Sequence, residues 1–372
     1  MNGSKANPPS ATFAAAVKAH RSGDLPQAEA LFRQVLRQDP GNADVCHRLG
    51  LLLLHANRLD EAVDLLGRAV ARNGSHLAYR SDLGTGLQAQ GRLDQAIVQF
   101  QKALSLEPDA WELHYNLGNA LRLQGSLDAA VYHYQQALTA RPDFVEAQAN
   151  LGNVLLQQGR PGAARDYLEK ARQHRPRSVA ILYSLAKALH LQGRLEEAIS
   201  LYGKVIRHQP QRLAAYMERA RAQADQGQLP AAIHCLRQGL CRQPDHGQIL
   251  RLLSQLLRDH GDLEAAADCI RKIIATSPQS AEAHYNLGLT LEDQGKLDEA
   301  QECYRHSLRC DPGFRKALVA EAGVLEKQGE LARALQMVKP LAEAQDADVG
   351  AIVLHAKLIR QLGQTQAAVD RL

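Results

Sequence analysis

The 372-residue sequence predicts an all-α fold, a solenoid of about eleven stacked helical hairpins, and three observations carry that prediction. A turn-forming residue recurs every 34 positions along the chain. A small residue precedes each turn by seven positions, and an Ala follows each by five. Apolar residues make up 45% of the chain but aromatics only 4%, which suits Ala/Leu-rich helices packed closely together.

The turn residues are Gly23, Gly91, Gly125, Gly159, Gly193, Gly227, Gly261, Gly295, Gly329 and Gly363, with Asn57 at the one register position that lacks Gly. Each is expected to end the first helix of a hairpin in the left-handed conformation, which Gly adopts freely and Asn better than most. The small residues before the turns (Ala16, Gly50, Gly84, Gly118, Gly152, Ala186, Ala220, Ser254, Gly288, Ala322, Ala356) let the two helices approach. Acidic residues open many second helices, as at Asp60, Asp94, Asp128, Glu196, Glu264 and Asp298, and complement the helix dipole there. Pro26 and Pro230 take the same early position, where a missing N–H costs little. A Pro ends most second helices, from Pro40 through Pro312, with Gly74 in its place once. Pro340 falls inside the second helix of repeat ten and is expected to break or shorten it. The eleventh repeat stops at Leu372, about ten residues short of a full 34-residue period.

Small residue, turn Gly, Ala, large apolar residue and Pro at this period resemble the tetratricopeptide repeat over about residues 9–372. His114-Tyr115-Asn116-Leu117-Gly118 recurs as His284-Tyr285-Asn286-Leu287-Gly288, five periods later. The pattern is similar to bacterial repeat arrays and to the repeat region of O-GlcNAc transferase-like proteins. The resemblance implies one continuous right-handed superhelix over 9–372, with 1–8 a disordered N-terminal segment. It also implies a concave groove lined by first helices, in which an extended segment of another protein lies.

At repeat positions 2, 5, 6, 9, 12 and 13 the groove candidates are Asp82 in repeat three, and Glu112, Tyr115, Asn116, Asn119 and Arg122 in repeat four. Repeat five adds Glu146, Asn150 and Asn153, repeat six Tyr183 and Lys187, and repeat nine Tyr285 and Asn286. Asn116, Asn150 and Asn286 share one position, and a side-chain amide offers both a donor and an acceptor to a peptide backbone. The arrangement resembles the asparagine ladder of O-GlcNAc transferases, although Ala14, Arg48, Ser184, Glu218, Leu252 and Leu354 hold the position elsewhere. A generic polar groove, in which these Asn residues only cap or solvate helices, is equally compatible with the residue types. A two-carboxylate clamp of the chaperone-binding kind is disfavoured, because Ala180 and Ser184 stand where its cations belong.

The reading is a non-catalytic scaffold or adaptor that binds a protein or peptide segment. The alternative is a substrate-recruiting module of a multidomain transferase, O-GlcNAc transferase-like or sulfotransferase, whose catalytic domain lies beyond residue 372. The sequence specifies neither the partner's identity nor an oligomeric state.

Other chemistries find little support. Forty-four Lys+Arg against 40 Asp+Glu are mixed in sign along the chain, so no basic cluster points to nucleic acid. No signal-peptide core and no 18-residue apolar run occur, which reads as a cytoplasmic protein without membrane contact. Cys235, Cys269 and Cys303 share one position in successive repeats, about 10 Å apart and beyond disulfide reach. No Cys-x-x-Cys pair exists, and Cys303-x-x-His306 lacks a second half, so no metal is expected. His114 and His284 take a packing position that Leu182, Tyr216 and Leu250 fill elsewhere. With no P-loop, dinucleotide fingerprint or His-Glu-x-x-His segment, neither a catalytic residue nor a cofactor is expected.

Overall fold

The computed structural model describes residues 11–344 and 348–369, the side chains of 364–369 apart, and every regular element among them is an α-helix. The expected disordered segment 1–8 lies outside the described residues. The chain divides into two compact units, Met1–Gln192 and Gly193–Leu372. The first stacks five hairpins and one further helix: α1 (Ala11–Arg21) with α2 (Leu25–Gln38), α3 (Ala43–His55) with α4 (Leu59–Arg72), α5 (Leu77–Ala89) with α6 (Leu93–Leu104), α7 (Trp111–Gln124) with α8 (Leu127–Ala140), α9 (Val145–Gln157) with α10 (Pro161–His174), then α11 (Val179–Leu191). The second begins with α12 (Leu195–His208) and continues as α13 (Leu213–Asp225) with α14 (Leu229–Leu240), α15 (Gly247–His260) with α16 (Leu263–Thr276), α17 (Ala281–Asp293) with α18 (Leu297–Cys310), α19 (Arg315–Lys327) with α20 (Leu331–Ala342), and α21 (Val349–Val369).

Each hairpin closes on one contact. The large residue nine positions after the turn lies over the small residue seven before it, so Tyr134 packs on Gly118 and Tyr304 on Gly288. A Cβ added at Gly118 would stand 2.9 Å from the Tyr134 ring, and one at Gly288 would stand 2.5 Å from Tyr304. Both tyrosines are fully buried, each stabilising its hairpin by roughly 1.5–3 kcal/mol through removal of apolar surface from water. The Ala five after the turn, such as Ala130 and Ala300, is also fully buried, because its methyl is all the helix interface admits.

The turns take the expected left-handed form. Gly125 has φ 90° and Asn57 φ 59°, the one non-Gly residue with positive φ among the described residues. Beyond these residues the chain bonds back to the first helix, Ser126 N–H donating to Leu121 and Arg58 N–H to Leu53, which satisfies carbonyls at the helix end. Gly363 departs from this register. α21 continues through it to Val369, and no eleventh turn forms there. Pro340 does not break α20, whose 12 residues equal the length of α6 and α14. The helix runs two residues further, to Ala342, with Pro340 in its last turn, where few intrahelical bonds remain to lose.

Two polar staples recur, and neither was read from the sequence. The first joins the side chain at the fourth position of a first helix to the Pro carbonyl six residues back. Gln148 Nε2 donates to Pro142 O at 2.7 Å and Tyr216 Oη to Pro210 O at 3.1 Å, while His114 and His284 Nε2 lie 2.8 and 2.9 Å from Pro108 and Pro278 O. The position expected to pack His114 and His284 therefore also anchors the loop between repeats. The second staple links the Gln before a turn to the acidic residue 30 positions earlier. Gln90, Gln124 and Gln158 donate to Asp60, Asp94 and Asp128 at 2.6–2.8 Å, and Gln294 and Gln328 reach Glu264 and Asp298. Five of the six acidic residues expected to complement helix dipoles thus also tie one hairpin to the next.

The second staple is missing where the register places Gly162. Gln192 Nε2 is buried without a hydrogen-bond partner, and a Cβ at Gly162 would meet only that atom, 3.9 Å away. Gly162→Asp is expected to complete the staple and favour the helix dipole, stabilising the protein by about 1–2 kcal/mol. Thermal unfolding checks it: the rise in midpoint caused by Gly162→Asp is expected to be smaller in a Gln192→Ala background than in the wild type.

Stability is also expected to depend on pH through the facing rings of His114 and His133, whose Nδ1 atoms lie 3.0 Å apart. A carbonyl only accepts, so His114 keeps its proton on Nε2 toward Pro108, and neutral His133 donates from Nδ1. Burial, then the neighbouring His114, lowers His133 to about 4 from the ordinary 6.5. The fold prefers the neutral ring, so this contribution is intact above pH 6.5 and declines as pH falls toward 4. His133→Gln, the residue that Gln99 supplies in the same register, should flatten the pH profile of denaturant unfolding across that window.

Candidate functional site

The first unit brings together the densest group of the candidate residues, on the first helices α7 and α9. Their 34-residue offset places Tyr115 and Asn119 of α7 beside Asn150 of α9. Asn150 Nδ2 donates to Asn119 Oδ1 at 2.9 Å and to Tyr115 Oη at 3.3 Å. Tyr134 Oη reaches from α8 between the helices and donates to the same Asn119 oxygen at 2.7 Å. Burial pushes the Tyr134 hydroxyl up to about 12, against the pull of the Arg122 guanidinium, so it remains a donor at any ordinary pH. Arg122 Nε is itself buried without a hydrogen-bond partner.

The amide of Asn150 is therefore an internal strut as well as a rung of a ladder. Donor and acceptor bookkeeping shows what remains exposed to a partner. Asn119 Oδ1 is taken twice, while its Nδ2 donates to nothing among the described residues. Among the described residues Asn150 Oδ1 accepts nothing, and Tyr115, which accepts from Asn150, donates its O–H to no side chain. Asn116 and Asn153 are half-buried on the same two helices, and no side-chain bond of theirs is formed among the described residues.

The other candidates of this unit are placed differently. Asp82 Oδ2 on α5 lies 2.6 Å from His47 Nε2 on α3, so its carboxylate is engaged between repeats. Glu146 is held 2.5 Å from Arg175 Nη2, and the net effect, with its own backbone N–H assisting, lowers its carboxyl despite the opposing cost of burial. Glu112 and Lys187 are exposed, and Tyr183 is half-buried on α11. In the second unit Tyr285 and Asn286 sit on α17. Asn286 faces a cavity of about 260 Å³ that Arg251, Gln255, Arg258 and Glu282 also line.

The identical pentapeptides do not build identical sites. Tyr115 packs against Tyr134 and edge-on to Phe144, and Tyr285 packs the same way against Tyr304 and Phe314. Tyr304, however, donates to Glu292 at 2.7 Å, and Lys327 Nζ pairs with the other oxygen of that carboxylate at 2.7 Å. Burial, reinforced by this carboxylate, raises the Tyr304 hydroxyl far above its ordinary range. Leu289 and Ala320 stand where Asn119 and Asn150 would be needed, so the amide network of α7 and α9 has no counterpart at Tyr304.

An aromatic platform beside the network was missed in the sequence. Trp111 meets Phe144 edge-on at 4.8 Å, and the Arg141 guanidinium stacks 4.6 Å from the Trp111 ring. Trp111 occupies the first repeat position, outside the set assigned to the groove, although its being the one Trp of the chain was a usable signal.

Among the described residues no group of three or more His, Cys, Asp or Glu could hold a metal ion, and no helix is long and apolar enough to cross a membrane. Burial raises the thiols of Cys235 and Cys303 to about 11, so both stay protonated and weakly nucleophilic at neutral pH.

Comparison with known proteins bears on the repeat rather than on the site. One family model described as a tetratricopeptide repeat matches residues 81–143, 149–212 and 217–281, a second of the same description matches 19–81, and a third matches 281–314. None of the curated proteins compared with the chain matches it. Among solved structures, a tetratricopeptide repeat protein from Parabacteroides merdae is 19% identical over 67% of this chain and 98% of its own, with a TM-score of 0.51. PilW, a type IV pilus biogenesis factor, is 22% identical over 58% of this chain and 98% of its own, with a TM-score of 0.50. YrrB, described as a repeat protein with an unusual peptide-binding site, is 23% identical over 50% of this chain and 95% of its own, with a TM-score of 0.46. At these identities the likeness concerns the fold alone. The family models, matched from residue 19 to residue 314, fall on the hairpins whose small-on-large contacts and left-handed turns are described above, and the chain belongs to the tetratricopeptide repeat family.

Proposed function

We propose that the chain is a non-catalytic interaction scaffold and that the surface of α7 and α9 binds an extended segment of another protein. The observation that carries this reading is the set of uncommitted polar atoms left by the Asn119–Asn150 network. A free donor on Asn119, a free acceptor on Asn150, a free O–H on Tyr115 and the whole amides of Asn116 and Asn153 lie on two adjacent helices. An extended backbone presents alternating N–H and C=O groups at about 3.3 Å per residue, so helices about 10 Å apart meet it roughly every third residue. Side-chain amides match either group, which gives affinity without demanding a particular sequence.

Preorganisation favours the same reading. Asn119, Asn150 and Tyr115 are held by one another and by Tyr134, so little side-chain entropy remains to be lost when a partner binds. Trp111, Tyr115 and Phe144 add the aromatic surface that dominates binding energy at protein interfaces. The Asn286 surface of the second unit lacks the amide network and is not part of this site.

The test uses peptides selected from a random library on the full chain, with affinities measured against variants. Asn116→Ala and Asn153→Ala remove amides that support nothing internally, and each is expected to weaken binding about tenfold with no change in thermal midpoint. Asn119→Ala should instead also cost about 1–3 kcal/mol of stability, because it leaves Tyr134 and Asn150 without their acceptor. Unchanged affinity in Asn116→Ala and Asn153→Ala, or equal loss in Asn286→Ala, would remove the site from α7 and α9.

A further inference from the structure

Resting on the reading of α7 and α9 as a binding surface, we propose that the segment bound there is acidic. One of its carboxylates docks on Arg122 of α7 and a second, about six residues along, on Lys187 of α11. Neither cation has a carboxylate of its own. Arg122 is half-buried and Lys187 exposed, and no ion pair of either is formed among the described residues. In the same unit Arg33, Arg172 and Arg175 each hold a glutamate at 2.5–2.7 Å. Arg122 Nε is buried, so its stem is confined and the Nη groups are what a carboxylate can meet.

The repeat register identifies the acids that are missing. Arg258 of α15 occupies the repeat position of Arg122 and pairs at 3.4 Å with Asp293 on the next first helix, α17. The matching residue after Arg122 is Gln157 of α9, which carries no charge. Lys357 of α21 occupies the repeat position of Lys187 and pairs at 2.6 Å with Glu326 on the preceding first helix, α19. The matching residue before Lys187 is Leu156 of α9. Both cations therefore stand where this fold builds an ion pair between neighbouring first helices, and α9 supplies the acid to neither.

The surroundings suit an acidic segment. From Tyr115, Ala149 and Tyr183 to their ends, α7, α9 and α11 carry no acidic side chain. Glu146 is already held by Arg175, and Glu112 lies back along α7, about 15 Å from Arg122 at 1.5 Å per residue. Both α7 and α11 pack against α9. Helices about 10 Å apart put the two cations roughly 20 Å from each other, the span of about six extended residues. Asn150 and Asn153 of α9 lie between them and meet the intervening backbone. The amides then contribute affinity whatever the sequence, and the cations set the preference for acidic residues.

Selection from a random library of short peptides on the full chain tests this. Peptides taken up by the wild type are expected to be enriched in Asp and Glu at two positions about six residues apart. Replacing the acid opposite Arg122 by its amide should weaken binding about tenfold, and the acid opposite exposed Lys187 about two- to fivefold. Arg122→Gln should abolish the first of these penalties with no change in thermal midpoint. Selection on Arg122→Glu should yield Lys or Arg at that peptide position, a reversal that a merely structural arginine would not produce. Suppose the peptides lose affinity in Asn116→Ala and Asn153→Ala but show no acidic enrichment, or bind Arg122→Gln as tightly as the wild type. The acidic assignment is then overturned while the surface of α7 and α9 stands. Peptides indifferent to all of these variants, or a selection that yields no peptide, would remove both.

Discussion

The hairpin contact between a large residue of the second helix and a small residue of the first is the constraint on which the rest of the structure depends. At Gly118 the Tyr134 ring occupies the volume that any Cβ would need. That close approach sets the spacing of α7 and α8, and the same contact recurs at Gly50 with Leu66, Gly84 with Phe100 and Gly152 with Leu168. Because each hairpin buries its own small-on-large pair but leaves one flank apolar, stability comes from stacking neighbours on one another.

Polar staples then determine how neighbouring hairpins meet. Gln90 to Asp60, Gln124 to Asp94 and Gln158 to Asp128 join the end of each first helix to the start of the preceding second helix. The residues involved serve two purposes, since an acidic residue in the first turn of a helix also complements its dipole. Where Gly162 replaces the acid, the partner glutamine is left buried with an unsatisfied amide. The candidate site grows from the same geometry. Tyr134 fills the hairpin core with its ring, and its hydroxyl emerges between the helices to orient Asn119, so core packing and site organisation share one side chain.

Much of this architecture was legible in the sequence, because it rests on local rules. The left-handed turns at Gly125 and Asn57 follow from backbone sterics within three or four residues, and the small-residue register reports a contact repeated inside each hairpin. Gly363 marks the limit of that logic. It satisfies the turn register, yet α21 passes through it. The candidate residues were assigned to a face by periodicity alone, and their bonding states depend on side chains from neighbouring helices that periodicity does not report.

Residues 114–118 and 284–288 separate the two kinds of information. The sequence by itself determined that both pentapeptides open a first helix, bury Leu117 and Leu287, and press Gly118 and Gly288 against a tyrosine, because these features follow from spacing along one chain. Only the tertiary structure decided that Tyr134 meets Asn119 and Asn150 while Tyr304 meets Glu292 and, through it, Lys327. The physical reason is that a hydrogen bond is short and directional. Which donor faces which acceptor is settled by the residues that adjacent helices bring within about 3 Å, and no period in the sequence carries that information.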